Sequence, residues 1–329
     1  MRLPATSPRA RSSVLVALLV AALIGILAAI PVPYYLIAPG GAVDLGKAIT
    51  VDDRPPPAER FYLTDVSLQR ASVLLLPGAL LPNVQLVRQD AIVPRGIAPG
   101  RYEVVMSDAM SESQDVAAVV AERAAGYTVA TPRTQVFVSD FTQASKANGI
   151  LEPGDQIVSV AGRTVRTSGE IAKIIGDLPP GMRVPITLVR HGAVKEVEVP
   201  TIATKDGTRF GILVGARYAK PKLPIPVRYR LGNISGSSGG LMFALDIYRT
   251  LRPKARIVAS KIAGTGTIAY DGSVGPIEGA AQKLIAAKRA GVRLFLCPKE
   301  NYREIAGEQG VRIVPVGSFK EALRAIEAS

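Results

Sequence analysis

Six consecutive residues, Ser235-Gly236-Ser237-Ser238-Gly239-Gly240, are all serine or glycine. Val227 to Leu231 before them alternates like a strand, and Leu241, Ala244, Leu245, Tyr248 and Leu251 after them fall at helical spacing. The order strand, small-residue loop, helix is therefore imposed here. A helix start offers free backbone N–H groups and the positive end of a dipole. A serine there can be a cap, a phosphate ligand or a nucleophile. Phosphate binding of the P-loop kind needs Gly-x-x-x-x-Gly-Lys-[Ser/Thr], and the chain has no such run. Capping explains one serine but not the density of glycine, so cap and nucleophile both stay open on residue chemistry alone.

A nucleophile needs a base. The chain has one histidine, His191, in Arg190-His191-Gly192 between two alternating runs, where it reads as an exposed hairpin-turn residue. The single cysteine, Cys297, lies in apolar Leu294-Phe295-Leu296-Cys297 and reads as buried and inert. No disulfide within the chain and no His/Cys metal cluster is possible on these counts. A lysine remains, if burial keeps it neutral. The helical run Ile277 to Ala290 carries Lys283 among small residues, and Lys288 flanks the same apolar stripe; periodicity does not choose between them.

The 329 residues leave room for about two domains. Val14 to Ile30 is uncharged and, with Ser12 and Ser13, long enough to span a bilayer. Arg2, Arg9 and Arg11 precede it, Pro31 and Pro33 end it, and Tyr34-Tyr35 suit an interfacial belt. This predicts an uncleaved signal-anchor with the N-terminus in the cytoplasm and the rest outside; the apolar run is too long for an ordinary cleaved signal peptide. The net charge of +13 reads as a solvated basic surface, since no run of five Lys/Arg occurs. Export argues against a nucleic-acid partner.

Four sections follow: 1–35, N-terminus and anchor; 36–125, a first folded part; 126–203, short strands and turns; 204–329, alternating strands and helices. In the first folded part, Phe61 to Leu68 reads as a strand and Ala109 to Gly126 as a helix. In the third section, Ala144 to Ala147 reads as a short helix, Ser168 as the cap of a helix through Ile171, Ile174 and Ile175, and Val184–Arg190 with Val194–Val199 as a hairpin. In the last, Ile257 to Ala263 reads as a strand.

The third section contains Leu151-Glu152-Pro153-Gly154-Asp155-Gln156-Ile157 and Val160-Ala161-Gly162, and resembles a bacterial PDZ domain. That resemblance implies capture of an extended peptide along a strand, expected to be Thr134 to Val138. The preceding Ala130-Thr131-Pro132-Arg133 lacks the familiar Gly-Leu-Gly-Phe carboxylate loop.

Residues 231–300 resemble the Lon peptidase family. The family's Asp-Gly-Pro-Ser-Ala-Gly corresponds to Ser235–Gly240, its Pro-Ile-Gly-Gly-x-x-x-Lys to Pro276–Lys283, and its Thr-Gly turn to Thr265-Gly266. The resemblance implies Ser238 as nucleophile, Lys283 as base and Thr265 as the residue that holds the lysine. Gly236, Ser237 and Gly239 would support the loop, with oxyanion donors among the backbone N–H groups of Ser237 and Ser238. Ser235, Ser237, Gly239 and Glu278 depart from the pattern. The whole layout resembles the exported, membrane-anchored, PDZ-containing Lon-like serine proteases of the YlbL type. It implies an α+β Lon-type proteolytic domain, begun by 36–125, with an inserted PDZ β-barrel-like domain and one preceding transmembrane helix. No cofactor or metal is expected. The expected partners are unfolded or flexible polypeptides, a bacterial cell membrane and further copies of the chain. The competing expectation is a membrane-tethered PDZ adaptor with an inactive Lon-like domain.

Overall fold

The computed structural model describes residues 8–93, 99–205, 207–253 and 261–328. Contacts divide the chain into one unit of residues 1–129 and 223–329 and a second of 130–222.

The first unit begins with helix α1 (Pro8–Ala29), strand β1 (Pro31–Asp44), strand β2 (Arg60–Ser72), strand β3 (Gln85–Arg88) and helix α2 (Pro99–Ala124). Side chains of α1 are described from Val16 onward. Among the described residues no helix is long and apolar enough to cross a membrane. The span expected from Ser12 to Ile30 thus falls partly outside the described side chains, as do Arg2, Arg9 and Arg11. Helix α2 starts well before the expected Ala109, and its buried face, Met110, Val116, Ala117, Val120 and Ala121, repeats at helical spacing.

The second unit contains β4 (Thr134–Phe141), β5 (Gln156–Val160), α3 (Ser168–Ile175), β6 (Arg183–Arg190), β7 (Ala193–Pro200) and β8 (Ile212–Tyr218). Their sheet order is β8-β4-β5-β6-β7. The unit runs on to Lys222, past the expected boundary at 203, because β8 pairs with β4 from Ile212↔Phe141 to Tyr218↔Thr134. Three local expectations change. Ala144–Ala147 is a turn. The cap of α3 is Thr167, not Ser168, since Thr167 and Glu170 form a reciprocal capping box. And β4 is an interior strand, paired by β8 on one side and β5 on the other, so it has no free edge to receive a peptide. His191 occupies the β6–β7 turn at φ 50°, as its sequence setting predicts.

Asp155, from the Pro-Gly-Asp run, accepts two hydrogen bonds of 2.7 Å from Arg190, which also reaches Glu152 and the Ile150 carbonyl. Burial pushes the Asp155 carboxyl up, but the Arg190 hydrogen bonds and charge, the Glu152 N–H and Lys195 together outweigh it and hold it below its ordinary value. The pair's contribution is therefore present above about pH 4 and lost as pH falls through the folded value. Asp155→Asn should cost about 1.5–3 kcal/mol, the scale of a hydrogen bond to a charged group, read as a lower unfolding midpoint at pH 7 that converges on wild type in acid.

The chain then returns to the first unit with α4 (Gly240–Leu251), β9 (Lys261–Gly264), α5 (Ala280–Arg289), β10 (Leu294–Pro298), β11 (Arg312–Val316) and α6 (Phe319–Glu327). The strand expected from Ile257 is described from Lys261; residues 254–260 lie outside the description. The sheet order is β11-β10-β9-β2-β1-β3, so strands from both ends of the sequence share one sheet. β9 pairs parallel to β2 from Lys261↔Arg60 to Gly264↔Leu63. Helix α4 is buried almost all round and packs on α2 beneath the serine-glycine loop. Its Asp246 has no apolar alibi: burial pushes that carboxyl up to about 8, so it is held in its protonated form at neutral pH.

Candidate active site

The site lies where three chain segments converge in the first unit: the loop before α4, the turn after β9 and the second turn of α5. Lys283 Nζ sits 2.6 Å from Ser238 Oγ and 3.2 Å from Thr265 Oγ1. The Thr265 hydroxyl in turn donates to the Ser238 carbonyl at 3.2 Å, and the Gly266 N–H donates to the same carbonyl at 2.8 Å. Thr265 is fully buried and Lys283 is 3% exposed. Ser238 is half-buried, so it stays reachable from solvent.

Burial is the main force on the lysine. It lowers the ammonium to about 8, with Asp65 and Glu278 pulling it back upward. At pH 7 roughly a tenth of such a lysine is neutral, a usable pool of base. Lys288, which periodicity could not separate from Lys283, is instead at the surface and paired with Glu308. Burial pushes the Cys297 thiol up to about 12, which fits its inert reading.

Close packing explains the glycines. A Cβ at Gly239 would sit 2.7 Å from Leu63 Cδ1 and 2.8 Å from Phe243 Cζ. Gly279, which precedes α5, has φ +72°, a left-handed conformation that favours glycine. Its carbonyl accepts from the Lys283 N–H at 3.0 Å, starting the turn that aims the lysine. Glu278, at the position where the Lon pattern has glycine, is exposed at the cleft wall and leaves the helix start intact.

The structure adds residues that the motifs did not signal. Ser113 on α2 donates to the Ser237 carbonyl at 2.9 Å, and the Gly236 N–H is committed to the Met106 carbonyl at 2.9 Å. Gly236 therefore supports the loop and is not an oxyanion donor. Helix α2 lies more than 100 residues upstream, and no local pattern points from it to the loop. A cleft of about 720 Å³ opens beside Ser238 and Lys283, walled by Ile37, Val66, Leu68, Ile92, Val105 and Ile277. The described residues hold no group of His, Cys, Asp and Glu side chains that could bind a metal ion.

In the second unit, a separate groove of about 410 Å³ runs between α3 and β8, lined by Ile171, Ile175, Phe210, Gly211, Ile212 and Val214. Strand β8 is the sheet's edge. The open sheet edge beside this groove is thus β8 and not Thr134–Val138, and Phe210-Gly211 lead into it from the short strand Gly207–Arg209.

Residues 232–325 match the Lon protease (S16) C-terminal proteolytic domain, and residues 109–201 match the PDZ domain. The chain is 39% identical over 72 residues to a Lon protease of Chloroflexus aggregans, covering 20% of this chain and 9% of that protein. It is 28% identical over 284 residues to a Lon protease of Brucella suis, covering 80% of this chain and 34% of that one. The chain thus spans well under two thirds of the length of these relatives. A solved PDZ domain of an SdrC-like protein from Listeria monocytogenes is 21% identical, covering 27% of this chain and 93% of that one, with a TM-score of 0.23. With a Lon-type proteolytic domain around the serine-lysine pair and a PDZ domain ahead of it, the chain is similar to the PDZ-containing Lon-like proteases.

Proposed function

We propose that this chain is a serine endopeptidase that works through a Ser238–Lys283 dyad. The observation that carries this reading is the 2.6 Å approach of a buried lysine, lowered to about 8, to a solvent-reachable serine. Neutral Lys283 takes the Ser238 hydroxyl proton as Oγ attacks the peptide carbonyl carbon. The N–H groups of Ser237 and Ser238 stabilise the oxyanion. Collapse breaks the C–N bond, and the Lys283 ammonium returns its proton to the leaving amine. Water then attacks the Ser238 ester with Lys283 again as base, which frees the carboxylic acid and restores the serine.

Thr265 acts through the lysine and the loop carbonyl together. Thr265→Val should lower kcat roughly 10–100-fold, the scale of about 1.5–3 kcal/mol for a hydrogen bond to a charged group. KM should change little, and the pH midpoint of kcat should shift, a readout that simple loosening of the fold would not move.

The 329 residues hold no nucleotide-binding Gly-x-x-x-x-Gly-Lys-[Ser/Thr] run, and cleavage is proposed to proceed without ATP on unfolded or flexible segments. The α3–β8 groove would hold peptide segments by strand addition. Helix α1 is proposed as a single-pass anchor that leaves both units outside the cytoplasm, and further copies of the chain as partners.

A serine-reactive peptide phosphonate or boronate should inhibit the full-length chain, and the phosphonate adduct should map by mass spectrometry to the peptide holding Ser238. Labelling should vanish in Ser238→Ala and persist in Ser237→Ala. Labelling on Ser237, or none on a folded chain that still binds peptide through its groove, would refute the dyad; the second result would favour the inactive adaptor.

A further inference from the structure

The cleft beside Ser238 and Lys283 has apolar walls, and two of them, Leu68 and Val105, are 39% and 38% exposed. Among the described residues that line it, the charged side chains are Arg70, Glu103, Glu278 and Lys283. Lys283 is hydrogen-bonded to Ser238 and Thr265. Glu103 and Glu278 are exposed, and among the described residues neither has an ion pair or a hydrogen-bond partner for its carboxylate.

The two glutamates enter the cleft from different elements. Glu278 precedes Gly279, whose carbonyl accepts from the Lys283 N–H at 3.0 Å, so it stands about one helical turn from the lysine. Glu103 lies on α2 about one turn before Met106, whose carbonyl holds the Gly236 N–H of the serine loop. Tyr102, next to Glu103, is within electrostatic reach of Glu278: burial, and after it the charge of Glu278, pushes the phenol up. Arg70 stands farther along. Val66, Leu68 and Arg70 alternate onto one face of β2. Val66 is the one beside Gly279, where a Cβ would be 3.0 Å from Val66 Cγ1. Arg70 is four residues on, about 13 Å along the strand.

Apolar walls with free carboxylates suit one kind of side chain. Lysine and arginine lay a long aliphatic stem on apolar surface and keep a cation at the tip. An acidic side chain would be repelled, and a purely aliphatic one would leave the carboxylates unused. The whole chain carries +13, so its overall field does not draw cations in. Any such preference is local, within a screening length of about 8 Å. An extended substrate advances about 3.3 Å per residue, so a long side chain one or two residues from the cleaved bond spans that distance.

We propose that Glu278 and Glu103 select substrates carrying lysine or arginine within two residues of the bond cleaved at Ser238. The inference rests on the dyad reading, but its test separates the two. Fluorogenic peptides, amidated at the C-terminus, place lysine in turn at each of the two residues on either side of the cleaved bond. Each is paired with a peptide that has norleucine there, which keeps the stem and drops the charge. The quantity read is the lysine-to-norleucine ratio of kcat/KM for the full-length chain at one pH, in which the influence of Glu278 on Lys283 cancels.

At one or more positions the ratio should be about 5–10 at low salt, the scale of one or two exposed ion pairs, and should fall toward one in 1 M salt. Glu278→Gln and Glu103→Gln should each lower it, and the double variant should bring it to one. A ratio at or below one at every position, or a preference that survives the double variant, overturns the proposal. If no peptide is cut, the dyad reading has failed, and binding decides the inference instead. Ser238→Ala should then bind the labelled lysine peptide several-fold tighter than the norleucine one by fluorescence anisotropy, and adding Glu278→Gln should reduce that advantage. Equal binding, or an advantage indifferent to Glu278, overturns it as well.

Discussion

Lys283→Met should reduce peptide cleavage to background, a loss on the order of 10⁶-fold by analogy with removal of a catalytic-unit member in other serine hydrolases. Methionine keeps the length and apolar stem of lysine, so the buried slot stays filled. What disappears is the amine that lies 2.6 Å from Ser238 Oγ. Ser238→Ala should lose as much, and the double variant should lose no more than either, because the two residues perform one step. The wild type should show kcat/KM rising with pH through about 8. The sign follows from the chemistry: burial lowers the ammonium below its ordinary value, the neutral form is the base, and its population grows as pH rises. Lys283→Arg should be as inactive as Lys283→Met, since guanidinium does not deprotonate in this range. Cleavage by Lys283→Met above background, or a flat profile from pH 6 to 9 in the wild type, would refute the dyad.

Asp65 and Glu278 bear on the same profile. Both pull the lysine back toward its charged form, so the value of about 8 is a compromise between burial and two carboxylates. Glu278 stands where the Lon pattern has glycine. The departure that sequence alone could read only as a disturbance of the helix start is in the structure an electrostatic neighbour of Lys283.

The segments of the candidate site were legible in sequence because each is local. Ser235–Gly240, Thr265-Gly266 and Pro276–Lys283 each occupy a few consecutive residues whose order resembles a family pattern. What lay hidden is non-local. Ser113 and Met106 brace the loop from a helix more than 100 residues upstream, and only the folded packing of α2 against α4 brings them there. Strand order is non-local too. Val136-Phe137-Val138 looks like a receiving strand until β8 arrives some 75 residues later and covers its edge. Thr167 is a different case: Thr167-Ser168-Gly169-Glu170 contains the capping-box spacing, so the correct cap was readable from that glutamate.

Phe243→Ala should be among the most destabilising single changes in the protease unit, costing about 3–5 kcal/mol. Phe243 is fully buried one turn into α4, and its ring meets Tyr229 edge-on with centroids 5.6 Å apart. The same ring lies against Gly239, the residue after Ser238, where even a methyl group would be 2.8 Å from Cζ. Interiors do not collapse fully around a deleted ring, so a cavity remains beneath the serine loop. For a unit of this size the unfolding midpoint should fall by on the order of 10 °C. Below that midpoint, labelling of Ser238 by a phosphonate should also slow, because the floor that fixes Gly239 has gone while the dyad is chemically intact. Phe243→Leu, which refills most of the volume, should recover more of the labelling rate than of the midpoint if loop support is a matter of contact at Gly239. A Phe243→Ala chain that melts earlier but labels at the wild-type rate would show that Ser237–Gly239 is held by Ser113, Met106 and Gly266 alone.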